Sequence, residues 1–229
     1  MGVIVSSIFR DSASYIDRYV RQVSDLRDQL GGEPFQLVLA EGDSVDGTYE
    51  LLVRALADAK LAATVLRVDH GGPKYGSVDR EDRWRQIALV CNAVMERASM
   101  MATLKTRFMY VESDLVWPVD VPLGLFADLE RGYPAVSPMS FHSSGLFYDT
   151  WGYRKDGVRF TPRTPIHPGL IANLQMTEID SSGSCFVLRG DLVKTTRFSP
   201  VDCILEVGRT IRAAGGSLWL DQRLEVIHP

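Results

Sequence analysis

Apolar residues fall into two recurring patterns along the chain: short β-branched or aromatic runs, and longer stretches with apolar positions every three or four residues. Residues 3–7 form the first short run and predict a strand. Ile16, Tyr19, Val20, Val23, Leu26 and Leu30 then recur at helical spacing, and Gly31-Gly32 ends that helix. A second strand is expected over 35–40, a helix through Leu51, Leu52, Leu56 and Ala59, and a third strand over 64–68. A longer helix over about 79–98 places Trp84, Ile87, Ala88, Cys91 and Met95 on one face. Phe108-Met-Tyr-Val111 is a continuous apolar run of the kind that fills a strand covered on both sides. A helix near 123–130 follows.

Strands alternating with helices predict an α/β fold, with one mainly parallel sheet and helices on both faces. After Tyr133 the pattern changes. Short strands near 135–140 and 184–188 flank an irregular stretch, 142–182, in which Pro162, Pro165 and Pro168 forbid regular helix or central strand. Irregular segments this long are usually functional. A last helix over about 201–214 precedes a final strand, 218–227, which delivers His228 to its carboxyl end.

Chemistry enters where the fourth strand stops, at Glu112 and Asp114. In extended chain residues i and i+2 point to the same side, so both carboxylates would face one crevice at a strand's carboxyl end. Such oxygen ligands suit Mn²⁺ or Mg²⁺, held by one or two carboxylates plus substrate phosphates. The plainer alternative is a pair of acids ending a strand in solvent. Glu41 and Asp43 occupy the corresponding edge of strand two, where a base or ribose would sit, while Asp46 and Thr48 read as turn and cap. Arg83 and Arg85 on the long helix are diphosphate candidates or solvated surface. Asn92 lies on that helix's apolar face and needs partners, in the acidic loop or a bound ligand.

With 229 residues, one domain is expected, in two halves, 1–118 and 119–229. A formal net charge of −4 disfavours nucleic acid or anionic membrane as a partner, leaving room for a local basic patch. Three well-separated cysteines give neither a disulfide framework nor a zinc site and fit a reducing compartment. The first residues are too short an apolar run for a signal peptide or membrane span, so a cytoplasmic location is expected.

Five segments in order resemble a GT-A glycosyltransferase. They are Glu41-Gly-Asp-Ser-Val-Asp46-Gly-Thr48, Arg85-Gln-Ile-Ala-Leu-Val-Cys-Asn92, Glu112-Ser-Asp114, Phe147-Tyr-Asp-Thr-Trp151-Gly-Tyr-Arg-Lys-Asp156-Gly157 and Asp180-Ser-Ser-Gly183. The chain is most similar to the fungal capsule-associated mannosyltransferase family, with weaker likeness to mannan-polymerase-type and family 2 enzymes. The resemblance implies a Rossmann-like fold, a nucleotide-diphosphate sugar donor, a hydroxyl acceptor (glycan or other) and a Mn²⁺ or Mg²⁺ ion. It implies Asp114, Glu112 and His228 as metal ligands, since a late His completes the metal site in many GT-A enzymes. Donor contacts would come from Ser6, Arg10, Glu41, Asp43, Arg85, Asn92 and Glu112, which would make 1–118 the nucleotide-sugar-binding half and 119–229 the acceptor-side half.

A transferase that inverts the anomeric centre also needs a carboxylate to deprotonate the acceptor. Asp202 and Glu206, one turn apart at the start of the last helix, are the candidates; Asp202 alternatively caps that helix. The resembled mannosyltransferases retain configuration, which would leave Glu206 to bind the acceptor or support the reacting centre. On the acceptor side, Tyr148 and Trp151 offer stacking faces, and Asp149 and Arg154 offer hydrogen bonds. A sugar-1-phosphate nucleotidyltransferase would carry a Gly-rich loop after strand one, where this chain has Ser6-Ser-Ile-Phe-Arg-Asp. Two alternatives remain: a transferase glycosylating modified nucleic acid in a viral setting, and a non-catalytic module that binds glycan or nucleotide sugar.

Overall fold

A computed structural model describes residues 2–76, 80–171 and 174–229. The expected start of the long helix at Asp79 lies outside the described residues. The first half alternates regularly: β1 (Gly2–Phe9), α1 (Ile16–Gln29), β2 (Phe35–Glu41), α2 (Thr48–Asp58), β3 (Ala63–Arg67), α3 (Glu81–Met101) and β4 (Thr106–Val111). Next come α4 (Asp120–Glu130), β5 (Ala135–His142), the two-residue strands β6 (Arg154–Lys155) and β7 (Val158–Arg159), and β8 (Met176–Ile179). The chain continues through β9 (Cys185–Arg189), α5 (Leu205–Ala213) and β10 (Leu218–His228).

Eight strands make one sheet in the order β3-β2-β1-β4-β9-β5-β10-β8. Parallel pairing joins β3, β2, β1 and β4, and also β5 and β10; β9 and β8 run against their neighbours. The carboxyl ends of β1, β2, β4, β5 and β10 therefore meet along one edge. The order reverses between β1 and β4, which opens a crevice there.

Two apolar layers sandwich the sheet. On one side Tyr19, Val23 and Leu26 of α1, Leu52 and Leu56 of α2, and Leu125, Phe126 and Leu129 of α4 pack on Val3, Val5, Leu37 and Leu39. On the other, Trp84, Cys91, Val94 and Met95 of α3 and Val207 and Ile211 of α5 pack on Ile4, Val38, Phe108 and Tyr110. Alternate residues of the buried strands feed opposite layers, as their continuous apolar runs require.

Two expectations need correction. The last helix starts four residues late, because Ser199 and Cys203 pair through both backbone hydrogen bonds and Cys203 takes a φ of 45°. The irregular stretch also contains β8, a short edge strand antiparallel to β10 with too few residues for a clear alternating pattern. Elsewhere, α4 and β10 join at a fully buried carboxylate pair, Asp128 and Asp221, flanked by Arg131 and Arg223. Burial and the Asp221 carboxyl push Asp128 up to about 6, while the Arg223 guanidinium holds Asp221 low. Among the described residues no helix is long and apolar enough to cross a membrane.

Candidate active site

The strand ends enclose a cleft of about 550 Å³ lined by Phe9 and Arg10 after β1, Arg83 and Ile87 of α3, and Glu112, Asp114, Tyr148 and His228. A second cleft of about 500 Å³ adjoins it and shares Arg83, Ile87, Glu112, His142 and Tyr148. The second is floored by rings, with Trp84, Tyr110, Phe147, Trp151 and Phe198 on its walls.

Asp114 and His228 meet, with His228 Nε2 3.2 Å from Asp114 Oδ2. The Tyr148 ring stacks on the imidazole, centroids 4.0 Å apart and planes 19° off parallel, and so fixes its tilt. The Asp114 carboxylate raises the imidazole above its ordinary pKa. Asp114 Oδ1 is buried with no hydrogen-bond partner. Glu112 and Asp114 face the same cleft for a reason other than strand pleat. β4 ends at Val111, and the chain turns at once, with Leu115 N donating to Glu112 O at 3.2 Å. Ser113 Oγ–H donates to Ile8 O at 2.7 Å and anchors this turn against β1. Glu112 sits at the boundary of the two clefts, and burial together with Asp114 and Asp149 pushes its carboxyl well above the usual range. Among the described residues no three His, Cys, Asp or Glu side chains converge as metal ligands, so Asp114 and His228 stand as a pair.

The expected donor contacts divide. Arg10 lines the first cleft, but its guanidinium donates to Gly72 O at 2.6 Å and Pro73 O at 3.2 Å, holding the Gly-rich loop. Glu41 is buried and accepts from Ser44 N at 3.0 Å. Asp43, at a φ of 56°, accepts from His70 N and Gly71 N, and these bonds hold its carboxyl below the ordinary range. Both acids clamp loops. Ser6 is wholly buried within β1, short of the strand's end, and faces the α3 layer. Arg85 points to solvent beside Asp82, at 3.4 Å; Arg83, half a turn away, faces both clefts. The signal was legible, because Arg83 lies one turn before Ile87 on the apolar face. Asn92 links neither to the acidic loop nor to the cleft. Its amide exchanges two hydrogen bonds with the Phe198 backbone, each 2.9 Å, and ties α3 to the chain leading into α5.

The carboxylates expected to act as base, Asp202 and Glu206, both bind Arg209, Glu206 at 3.1 Å, and neither lines either of these two clefts. Asp202 does not cap the helix either, since α5 begins after Ile204 without a side-chain cap. Of the residues expected to contact an acceptor, Tyr148, Asp149 and Trp151 line the second cleft. Trp151 also packs on Trp84, ring centroids 3.5 Å apart, so it pins the segment as well as lining it. Arg154 is a strand residue bonded through its backbone to Asp180 and Ser181; Arg159, opposite it in the β6–β7 pair, lines the cleft instead.

No protein-family model matches the sequence, and no curated protein matches it. Solved structures do match in fold. A mannosyltransferase from Pyrobaculum calidifontis, in complex with GDP-Man and Mn²⁺, superposes with a TM-score of 0.60 at 15% identity over 98% of this chain and 56% of that one. TarS from S. aureus gives 0.60 at 14% identity, over 99% and 60%, and is also known with UDP-GlcNAc. Mannosyl-3-phosphoglycerate synthase from Rubrobacter xylanophilus gives 0.56 at 14%, over 98% and 66%. The chain thus spans little more than half of the first of these proteins. What they share with it is the fold, and that fold is the GT-A fold of glycosyltransferases.

Proposed function

We propose that the chain is a metal-dependent glycosyltransferase that takes a nucleotide-diphosphate sugar in the first cleft and a hydroxyl acceptor in the second. The observation that carries this reading is the Asp114–His228 pair at the switch point of a GT-A sheet, with one buried carboxylate oxygen left without a partner. An orphaned anionic oxygen is costly in a protein interior, and a cation satisfies it. Asp114 and His228 would hold Mn²⁺ or Mg²⁺, the remaining ligands coming from the donor phosphates. When bound, such an ion neutralises charge that builds on the departing diphosphate.

The chain's own residues complete the donor site. Arg83 faces the boundary of the clefts and offers a charge-assisted contact to the diphosphate. Tyr148 holds the His228 ring, and Arg10 holds the loop that walls the cleft. The ring-lined second cleft suits the flat apolar face of a sugar. The first cleft draws His142, Tyr148 and His228 from beyond residue 118, so a donor half and an acceptor half would share its walls. Release of nucleoside diphosphate from GDP-mannose or UDP-GlcNAc, with and without Mn²⁺, tests the reading. Metal-dependent release is expected; a protein that binds nucleotide sugars without turning them over would be a binding module instead.

A further inference from the structure

Arg209 occupies both Asp202 and Glu206, and the carboxylate on the acceptor side of the cleft boundary is that of Asp149. We infer that Asp149 takes the proton of the acceptor hydroxyl and that transfer inverts the anomeric centre; this rests on the glycosyltransferase reading and deepens it. Glu112, Arg83 and Tyr148 line both clefts, whereas Asp149 lines only the second.

Local structure is built around this carboxylate. Asp149 takes a φ of 56°, and Gly152 N–H donates to its Oδ1 at 3.0 Å and to its backbone carbonyl at 2.9 Å. The Ser184 backbone N–H also serves the carboxylate. A Cβ on Gly183 would lie 2.2 Å from Asp149 Oδ2, and one on Gly152 would lie 2.7 Å from it. Any larger residue at either position would close the space the carboxylate fills. Ser181 Oγ–H donates to Gly152 O at 2.6 Å and locks the cradle to the chain leading into β9. A carboxylate held this way needs no reorganisation to accept a proton.

Charge supports the role. Burial lifts Asp149 to about 6, against the N–H groups of Gly152 and Ser184 and the Arg83 and His228 charges, which pull it down. The Asp149 charge in turn helps push the Glu112 carboxyl up. A carboxylate in that range is ionised at neutral pH yet more basic than a solvated one. In the step, the acceptor oxygen bonds to C1 of the sugar as the bond from C1 to the phosphate oxygen breaks. The hydroxyl proton passes to Asp149, and the nucleoside diphosphate leaves with the electron pair. One displacement inverts the centre.

The test uses the full chain with Mn²⁺, GDP-mannose and UDP-GlcNAc as donors and methanol as acceptor, whose methyl glycoside keeps its configuration for NMR. Wild type is expected to give the β-glycoside from these α-linked donors. Asp149→Asn should lower turnover about 100-fold or more while nucleoside diphosphate affinity stays within about twofold. Azide, which attacks without losing a proton, should restore turnover as the β-glycosyl azide; a merely structural Asp149 would not respond to it. An α-glycoside from wild type, or Asp149→Asn turnover within about threefold of wild type, overturns the inference. The wild-type configuration decides the matter even where the variant does not fold. Protein that binds nucleoside diphosphates yet forms no methyl glycoside overturns the inference alone; protein that binds none overturns the glycosyltransferase reading with it.

Discussion

His228 Nε2 lies 3.2 Å from Asp114 Oδ2, although half of the chain separates the two residues. Parallel strands with a common carboxyl edge account for the meeting: β4 delivers Asp114 through a tight turn, and β10 delivers His228 as its last residue. The pair marks where the donor and its cation would sit, and the first predictions concern the groups around it.

Arg83→Ala should weaken binding of a nucleoside diphosphate by about tenfold to a hundredfold, since a hydrogen bond to a charged group contributes about 1.5–3 kcal/mol. Arg85→Ala should leave it unchanged, because Arg85 stands in solvent beside Asp82. Calorimetric titration of both variants checks this, and equal losses would mean that the helix face has been misassigned.

Trp151→Ala should lower the melting temperature, because the ring packs on Trp84 as well as lining the second cleft. A destabilisation of about 2–3 kcal/mol is expected for a half-buried ring, below that of a fully buried one. Affinity for nucleoside diphosphate, measured below the melting temperature, should stay near wild type. A parallel loss of donor affinity would remove the residue from the acceptor side.

Asp128→Asn tests the buried pair outside the cleft. The folded-state value of Asp128 is raised from 3.8 to about 6, so its protonation favours the folded state. That contribution is complete below about pH 4 and is lost as pH rises through about 6. Asp221 is shifted the other way, and its contribution changes only below the ordinary carboxylate value. The variant is neutral throughout, so its melting temperature relative to wild type should climb from pH 4 to pH 7. A constant difference across that range would contradict the assignment.

Much of this was legible in the sequence. The runs that became β1, β2 and β4, the periodicity of α1 and α3, and the delivery of His228 to the carboxyl end of the last strand follow from pattern alone, whereas its partnership with Asp114 was implied by the resemblance to GT-A enzymes. What pattern did not reveal was occupancy. Asp202 and Glu206 look free in sequence, yet Arg209, three residues beyond Glu206, engages both. Asn92 has the apolar neighbours of a site residue, yet it pairs with a backbone far along the chain. Asp149 shows the converse, because its cradle needs Gly152 and Gly183 to approach from separate segments. Hydrogen-bond partners across long sequence separations have no periodicity to betray them.

The most direct measurement is calorimetric titration of GDP and UDP into wild type and Asp114→Asn, each with and without Mn²⁺. Wild type should bind at least one of the two nucleotides far more tightly with Mn²⁺ present. Asp114→Asn should keep its melting temperature yet lose the metal-dependent part, a drop of at least about tenfold, or 1.4 kcal/mol. Equal affinity of the two proteins in Mn²⁺, or no effect of Mn²⁺ on wild type, would contradict a metal-dependent donor site at Asp114 and His228.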